Sequence, residues 1–160
     1  LEWHKGSVQT VAFSPDGELL ATSGDDARIV VWDVESGEIA QQPLAGHQNI
    51  VFGLAFSADG RTLASASRDN TLRLWDTSTP LNAGVGSGVT LRVLQGHTAG
   101  LLDVVERDGA WYSAANDGTV RRWSASPLPE PVEGRGLHSS GNSTTNPLPP
   151  PCRRTGRWWQ

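Results

Sequence analysis

Methionine is absent from the 160 residues and cysteine occurs once, as Cys152. A single thiol excludes an intrachain disulfide framework and a cysteine-based zinc site, and a reducing, cytoplasmic setting is expected. No apolar run approaches the roughly 20 residues of a membrane-spanning helix, so no membrane partner is expected. The opening LEWHKGSV has neither a signal peptide nor an initiator methionine. It starts in mid-pattern, as expected of a fragment of a longer protein. There is no GxxxxGK[ST] phosphate loop, residues 84–88 lack the GxGxxG pattern, and no HxH or HxxxH pair occurs. No cofactor and no metal are therefore predicted. Residues 1–124 hold nine Lys/Arg against fifteen Asp/Glu, and an acidic body argues against nucleic acid as a partner.

What is present is a hairpin said three times. ATSGDDARIVVWD ends at Asp33, LASASRDNTLRLWD at Asp76 and SAANDGTVRRWS at Ser124. In the second, two short apolar runs, 62–66 and 72–75, flank a polar turn, the pattern of an antiparallel hairpin. The same order recurs upstream of each hairpin. His4, His47 and His97 are each followed by a β-type run ending near Phe13, Phe56 or Glu106, and then by an Asp-Gly turn. The His-to-Trp spacing is 28, 28 and 26 residues, and the His-to-His spacing is 43 and 50. The extra length lies in the Gly/Ser-rich segment 77–88, which reads as a surface loop. A fourth apolar run, 39–44 and 91–94, follows the first two Trp-Asp pairs but not Trp123, where three prolines within 127–131 cannot donate to a ladder.

Four antiparallel strands per unit of just over 40 residues is the pattern of a propeller blade. The sequence resembles WD40-repeat proteins in Gly46-His47, Gly96-His97, the run Phe13-Ser14-Pro15-Asp16-Gly17, Trp32-Asp33 and Trp75-Asp76. It departs from them at Trp3-His4, at Glu106-Arg107 and at Trp123-Ser124. The resemblance implies an all-β, partial β-propeller of about three four-stranded blades, the last incomplete. Its repeats are expected at about 4–46, 47–96 and 97–124, followed by a Pro/Ser/Arg-rich, disordered tail at 125–160. The PxxP spacing of 147–150 and the sequon at Asn142 both lie in that tail.

His47, Ser65 and Asp69 together imitate a hydrolase site, the reading from another class. But Ser65 lies mid-strand without a nucleophile-elbow sequence, and the set recurs. His4, Thr22, Asp26 and Trp32 form it in the first unit, and His97, Ser113, Asp117 and Trp123 in the third. The resemblance implies one structural tetrad per blade, with Trp75 completing the second. The chemistry agrees, because a buried indole N–H needs an acceptor that a neighbouring hydroxyl can supply. In the second unit Ser67 offers an alternative hydroxyl to Ser65.

Positions that differ between units are free for recognition. The residue before each tetrad Asp is Asp25, Arg68 or Asn116, and just inside each first strand stand Gln9, Phe52 and Leu102. The resemblance places these at the top face, where proteins or peptides bind, with Arg68 and Phe52 as anchors. The expected function is a non-catalytic interaction scaffold or regulatory adaptor; a truncated product without function is the third reading. Three blades leave two apolar end faces bare. Further blades upstream in a parent protein are expected to cover them, and self-association into a six-bladed ring is the lesser alternative.

Overall fold

The computed structural model describes residues 1–78 and 89–124. Most of the predicted surface loop and the whole predicted tail lie outside them. The described residues contain eleven strands and no helix, arranged in three antiparallel sheets. The first joins β1 (Val8–Phe13), β2 (Leu19–Gly24), β3 (Arg28–Asp33) and β4 (Leu44–Ala45) in that order. The second joins β5 (Val51–Phe56), β6 (Thr62–Ser67), β7 (Thr71–Asp76) and β8 (Thr90–Gln95). The third joins β9 (Leu101–Arg107), β10 (Ala110–Ala115) and β11 (Val120–Ser124). Each is a meander of neighbouring strands, the form that short runs divided by Asp-Gly and other polar turns dictate.

The register is common to all three. Phe13 faces Leu20 and Leu20 faces Trp32; Phe56, Leu63 and Trp75 repeat that row, as do Glu106, Trp111 and Trp123. The fourth strand of the first blade is shorter than the predicted 39–44. Only Leu44–Ala45 pairs as a strand, with an isolated bridge from Trp32 to Ile39. Pro43 between them has no N–H to give to the ladder.

The core lies between sheets. One apolar cluster joins Ala21, Val31 and Leu44 of the first blade to Leu54, Phe56 and Leu63 of the second. Another joins Ala66, Leu72 and Leu74 of the second to Leu101, Val104 and Trp111 of the third. The innermost strands approach closely: a Cβ at Gly53 would lie 2.8 Å from the Cα of Asp103. The outer faces of the stack are different. Leu54 and Phe56 are 7% and 8% exposed, yet their counterparts Val11 and Phe13 are 57% and 60% exposed. At the far end Val105 and Val120 are 53% and 71% exposed. Both end faces are thus apolar and uncovered among the described residues.

Candidate functional site

Each blade folds its four predicted residues into one hydrogen-bonded chain. In the second blade the Trp75 indole N–H donates to Ser65 Oγ at 2.8 Å, Ser65 Oγ lies 2.7 Å from His47 Nε2, and His47 Nδ1 lies 2.8 Å from Asp69. The first blade repeats this through Trp32, Thr22, His4 and Asp26, and the third through Trp123, Ser113, His97 and Asp117. With Nδ1–H donating to the carboxylate, Nε2 accepts the hydroxyl proton and the hydroxyl oxygen accepts the indole N–H, so every proton has a place. Ser67 takes no part. Its hydroxyl donates to the Asn49 carbonyl and accepts the Asp69 N–H.

The carboxylates do more than the sequence reading assigned them. The backbone N–H after each histidine, at Lys5, Gln48 and Thr98, donates to Asp26, Asp69 and Asp117 at 3.0 Å. Thr71 and Thr119 also donate their hydroxyls to the carboxylate two residues before them, at 2.6 and 2.7 Å. The recurring Asp-x-Thr of the second and third units was the signal for these. Burial pushes the Asp69 carboxyl up, but the bonds from His47, Thr71 and the Gln48 N–H outweigh it and hold it well below the usual carboxylate range. At Asp26 burial is likewise outweighed, by the Lys5 N–H and His4. At Asp117 the Thr119 hydroxyl leads in lowering the pKa, against burial and with help from the Thr98 N–H and His97.

A triad-like order of groups does not make these tetrads accessible. Ser65 and Ser113 are 0% exposed, and each Oγ already accepts an indole N–H. A further repeated contact went unread in the sequence. The Arg73 guanidinium lies 5.9 Å from the Trp75 ring centroid, and a Cβ at Gly46 would come within 2.6 Å of its Nη1. A Cβ at Gly96 would likewise come within 3.0 Å of Arg121 Nη1 and 3.2 Å of the Trp123 ring. In the first blade the arginine position is Val30 and the glycine position is Trp3, whose ring meets His4 edge-on at 5.5 Å. The signal was an arginine two residues before Trp wherever Gly precedes His.

The variable residues occupy a repeated backbone device. The pairing of β1 with β2 skips Gln9, that of β5 with β6 skips Phe52, and that of β9 with β10 skips Leu102. All three predicted strand residues therefore sit in β-bulges, which re-aim a side chain away from the ladder. Opposite them, the N–H groups of Asp25, Arg68 and Asn116 donate to the carbonyls of Ser7, Ile50 and Gly100 at 3.0, 2.9 and 2.9 Å. Their backbones are fixed while their side chains stand exposed. In the first blade the two candidates meet, the Gln9 amide donating to Asp25 at 2.8 Å. Arg68 makes no ion pair with a carboxylate among the described residues, and its Cα would lie 3.0 Å from a Cβ at Gly100 of the next blade. Among the described residues no cluster of His, Cys, Asp and Glu could hold a metal, and no helix is long and apolar enough to cross a membrane.

Stacked antiparallel meanders of four, four and three strands, each pinned by an Asp-His-Ser/Thr-Trp chain, define this molecule as built of β-propeller blades. The WD domain, G-beta repeat family matches residues 1–33, 39–76 and 88–124, and the chain belongs to that WD40 family. The chain is similar to Protein HIR1 of Kluyveromyces lactis, with 46% identity over 46 residues, 29% of this chain and 5% of that protein. It is also similar to the small ribosomal subunit protein RACK1y of Oryza sativa subsp. japonica, with 44% identity over 46 residues, 29% of this chain and 14% of that one. Among solved structures, that of U3-55K superposes with a TM-score of 0.68 at 25% identity, covering 78% of this chain and 38% of that one. The RRP9 WD40 repeats give a TM-score of 0.68 and 25% identity, covering 78% and 37%. The chain thus spans well under half the length of these relatives.

Proposed function

We propose that this chain is a non-catalytic protein-interaction scaffold that recognises a protein or peptide through its bulge-bearing top face, in a cytoplasmic setting. WD40-repeat proteins are generally interaction scaffolds, and the observation that carries the reading here is the bulge repeated at Gln9, Phe52 and Leu102. The bulge aims a different side chain in each blade from an otherwise invariant frame. Beside it the frame presents Asp25, Arg68 or Asn116. A partly exposed Phe next to an exposed arginine without a carboxylate partner is the composition of an interface anchor. The buried tetrads argue for a structural role, because no substrate carbonyl can reach Ser65 Oγ while it holds Trp75 and His47.

The test is affinity capture from extracts of the source organism, using the chain and its Arg68→Glu and Phe52→Ala variants. Both variants should keep the urea midpoint while losing the captured partner. Unchanged capture by both, or ester hydrolysis that disappears in Ser65→Ala, would overturn the reading.

The bare faces at Val11 and Phe13, and at Val105 and Val120, support a second element of the proposal. Each matches a face that a neighbouring blade covers elsewhere in the stack, so further WD40 blades are its natural cover. Those blades belong to a longer parent chain, or less favourably to a second copy closing a six-bladed ring. Mass measurement by light scattering separates the two, since a monomer at all concentrations excludes the ring.

A further inference from the structure

The two inter-blade interfaces are not alike. Between the first and second blades, Phe56 fills the space beside Val31 and Leu63 and is 8% exposed. The common register puts Glu106 at the same place in the third blade, and Trp111 at the place of Leu63. Glu106 does not fill the gap. Its carboxylate turns back to accept the Gly109 N–H at 2.7 Å. A cleft of about 680 Å³ remains between the second and third blades, walled by Leu74, Leu91 and Trp111, with Asp59, Glu106 and Arg92 also lining it. It opens beside the Asp-Gly turns, at the opposite end of the sheets from the bulges.

We propose that this cleft binds an extended segment of a partner protein in which a leucine-like side chain neighbours an arginine or lysine. A volume of this size accepts a ligand of several side chains, and apolar walls with a few placed charges are the usual make-up of such sites. The aliphatic side chain lies against Leu74, Leu91 and the Trp111 ring. Its basic neighbour pairs with Asp59 and Glu106. Hydrogen bonds from the Ser57 hydroxyl and the Arg61 N–H hold the Asp59 carboxyl below its usual range, so it is charged at neutral pH. Arg92 is the opposing cation among the described lining residues, and it donates to the Ser124 carbonyl at 3.3 Å. Two carboxylates against one guanidinium leave the lining of the cleft negative. The Trp111 indole N–H is buried with no acceptor among the described residues, which makes it a sensitive reporter.

The experiment titrates the isotope-labelled full chain with the blocked peptide acetyl-Gly-Leu-Arg-Leu-Gly-amide. The indole N–H resonance is assigned by its loss in Trp111→Phe. Saturable shifts of the Trp111 indole and the Gly109 amide are expected, and the same peptide with Glu in place of Arg should leave both unmoved. Glu106→Gln should weaken the basic peptide roughly tenfold, the scale of one charge-assisted pair. Glu106→Phe restores the residue of the second blade, so it should close the cleft, abolish the shifts and raise the urea midpoint. Arg68→Ala, at the other end, should bind the peptide as the parent chain does. Equal shifts from both peptides, shifts from neither, or unchanged binding by Glu106→Phe would each overturn the proposal.

Discussion

Replacing Ser65 by alanine separates a structural tetrad from a catalytic one. Ser65 is 0% exposed, and its hydroxyl bridges Trp75 Nε1 at 2.8 Å and His47 Nε2 at 2.7 Å. Alanine leaves both as buried polar atoms without a partner. An orphaned buried group costs about 1–3 kcal/mol, so the expected loss for two is about 2–6 kcal/mol. That is a large share of the roughly 5–15 kcal/mol that holds an ordinary domain together. The control is Ser65→Thr, which keeps the hydroxyl and copies Thr22 of the first blade; it should cost less than Ser65→Ala, its penalty being only the fit of one added methyl in a buried site. Urea unfolding followed by tryptophan fluorescence measures both. The reasoning predicts that Ser65→Ala and Trp75→Phe are non-additive by at least about 0.5 kcal/mol, because each removes the same hydrogen bond. A loss within about 0.5 kcal/mol of the parent chain for Ser65→Ala, the level of an ordinary surface change, would refute it.

Other outcomes follow from the same frame. Asp26, Asp69 and Asp117 titrate lower in the folded chain than when unfolded, so their contribution is complete above the unfolded value of about 3.9. It is lost as pH falls through the lower folded values, and Asp69→Asn should flatten that acid limb in urea midpoints taken between about pH 5 and pH 2. Ala27 holds φ of 58° where its siblings are Asn70 and Gly118; Ala27→Gly should therefore stabilise by about 1 kcal/mol, read as a higher thermal midpoint. A Cβ at Gly53 meets backbone rather than a mobile side chain. Gly53→Ala should accordingly cost about 1–3 kcal/mol and loosen the second and third blades, measurable by hydrogen exchange at Val104. Val30→Arg should be tolerated better together with Trp3→Gly than alone, because that pair recreates the close approach of glycine to arginine and Trp in the other blades.

The tetrads were legible in the sequence because three copies fix which spacings matter. Asp26, Asp69 and Asp117 each precede their Trp by six residues, and a turn that repeats in sequence repeats in space. The hydroxyl choice in the second blade was legible for the same reason: Ser65 has Thr22 and Ser113 as counterparts, whereas Ser67 has Gly24 and Ala115. The shortened β4 was not, since an apolar run at 39–44 conceals that Pro43 withholds a donor. The bulges at Gln9, Phe52 and Leu102 were invisible as bulges. An extra residue on one strand leaves no compositional trace when strand lengths already vary. The cleft was half visible. Glu106 stood out as a departure, but its meaning depends on Leu74 and Leu91 in the preceding blade, and single-unit patterns carry no information across an interface.

The most direct test of recognition at the bulges is photo-crosslinking from a benzoylphenylalanine placed at Phe52, set beside one at Val34. Val34 is 45% exposed but lies outside the bulges and the tetrads. In extracts of the source organism, position 52 should yield a discrete crosslinked partner that Arg68→Glu diminishes, and position 34 should not. The same partner captured equally from both positions, or from position 34 alone, would contradict the assignment of recognition to the top face.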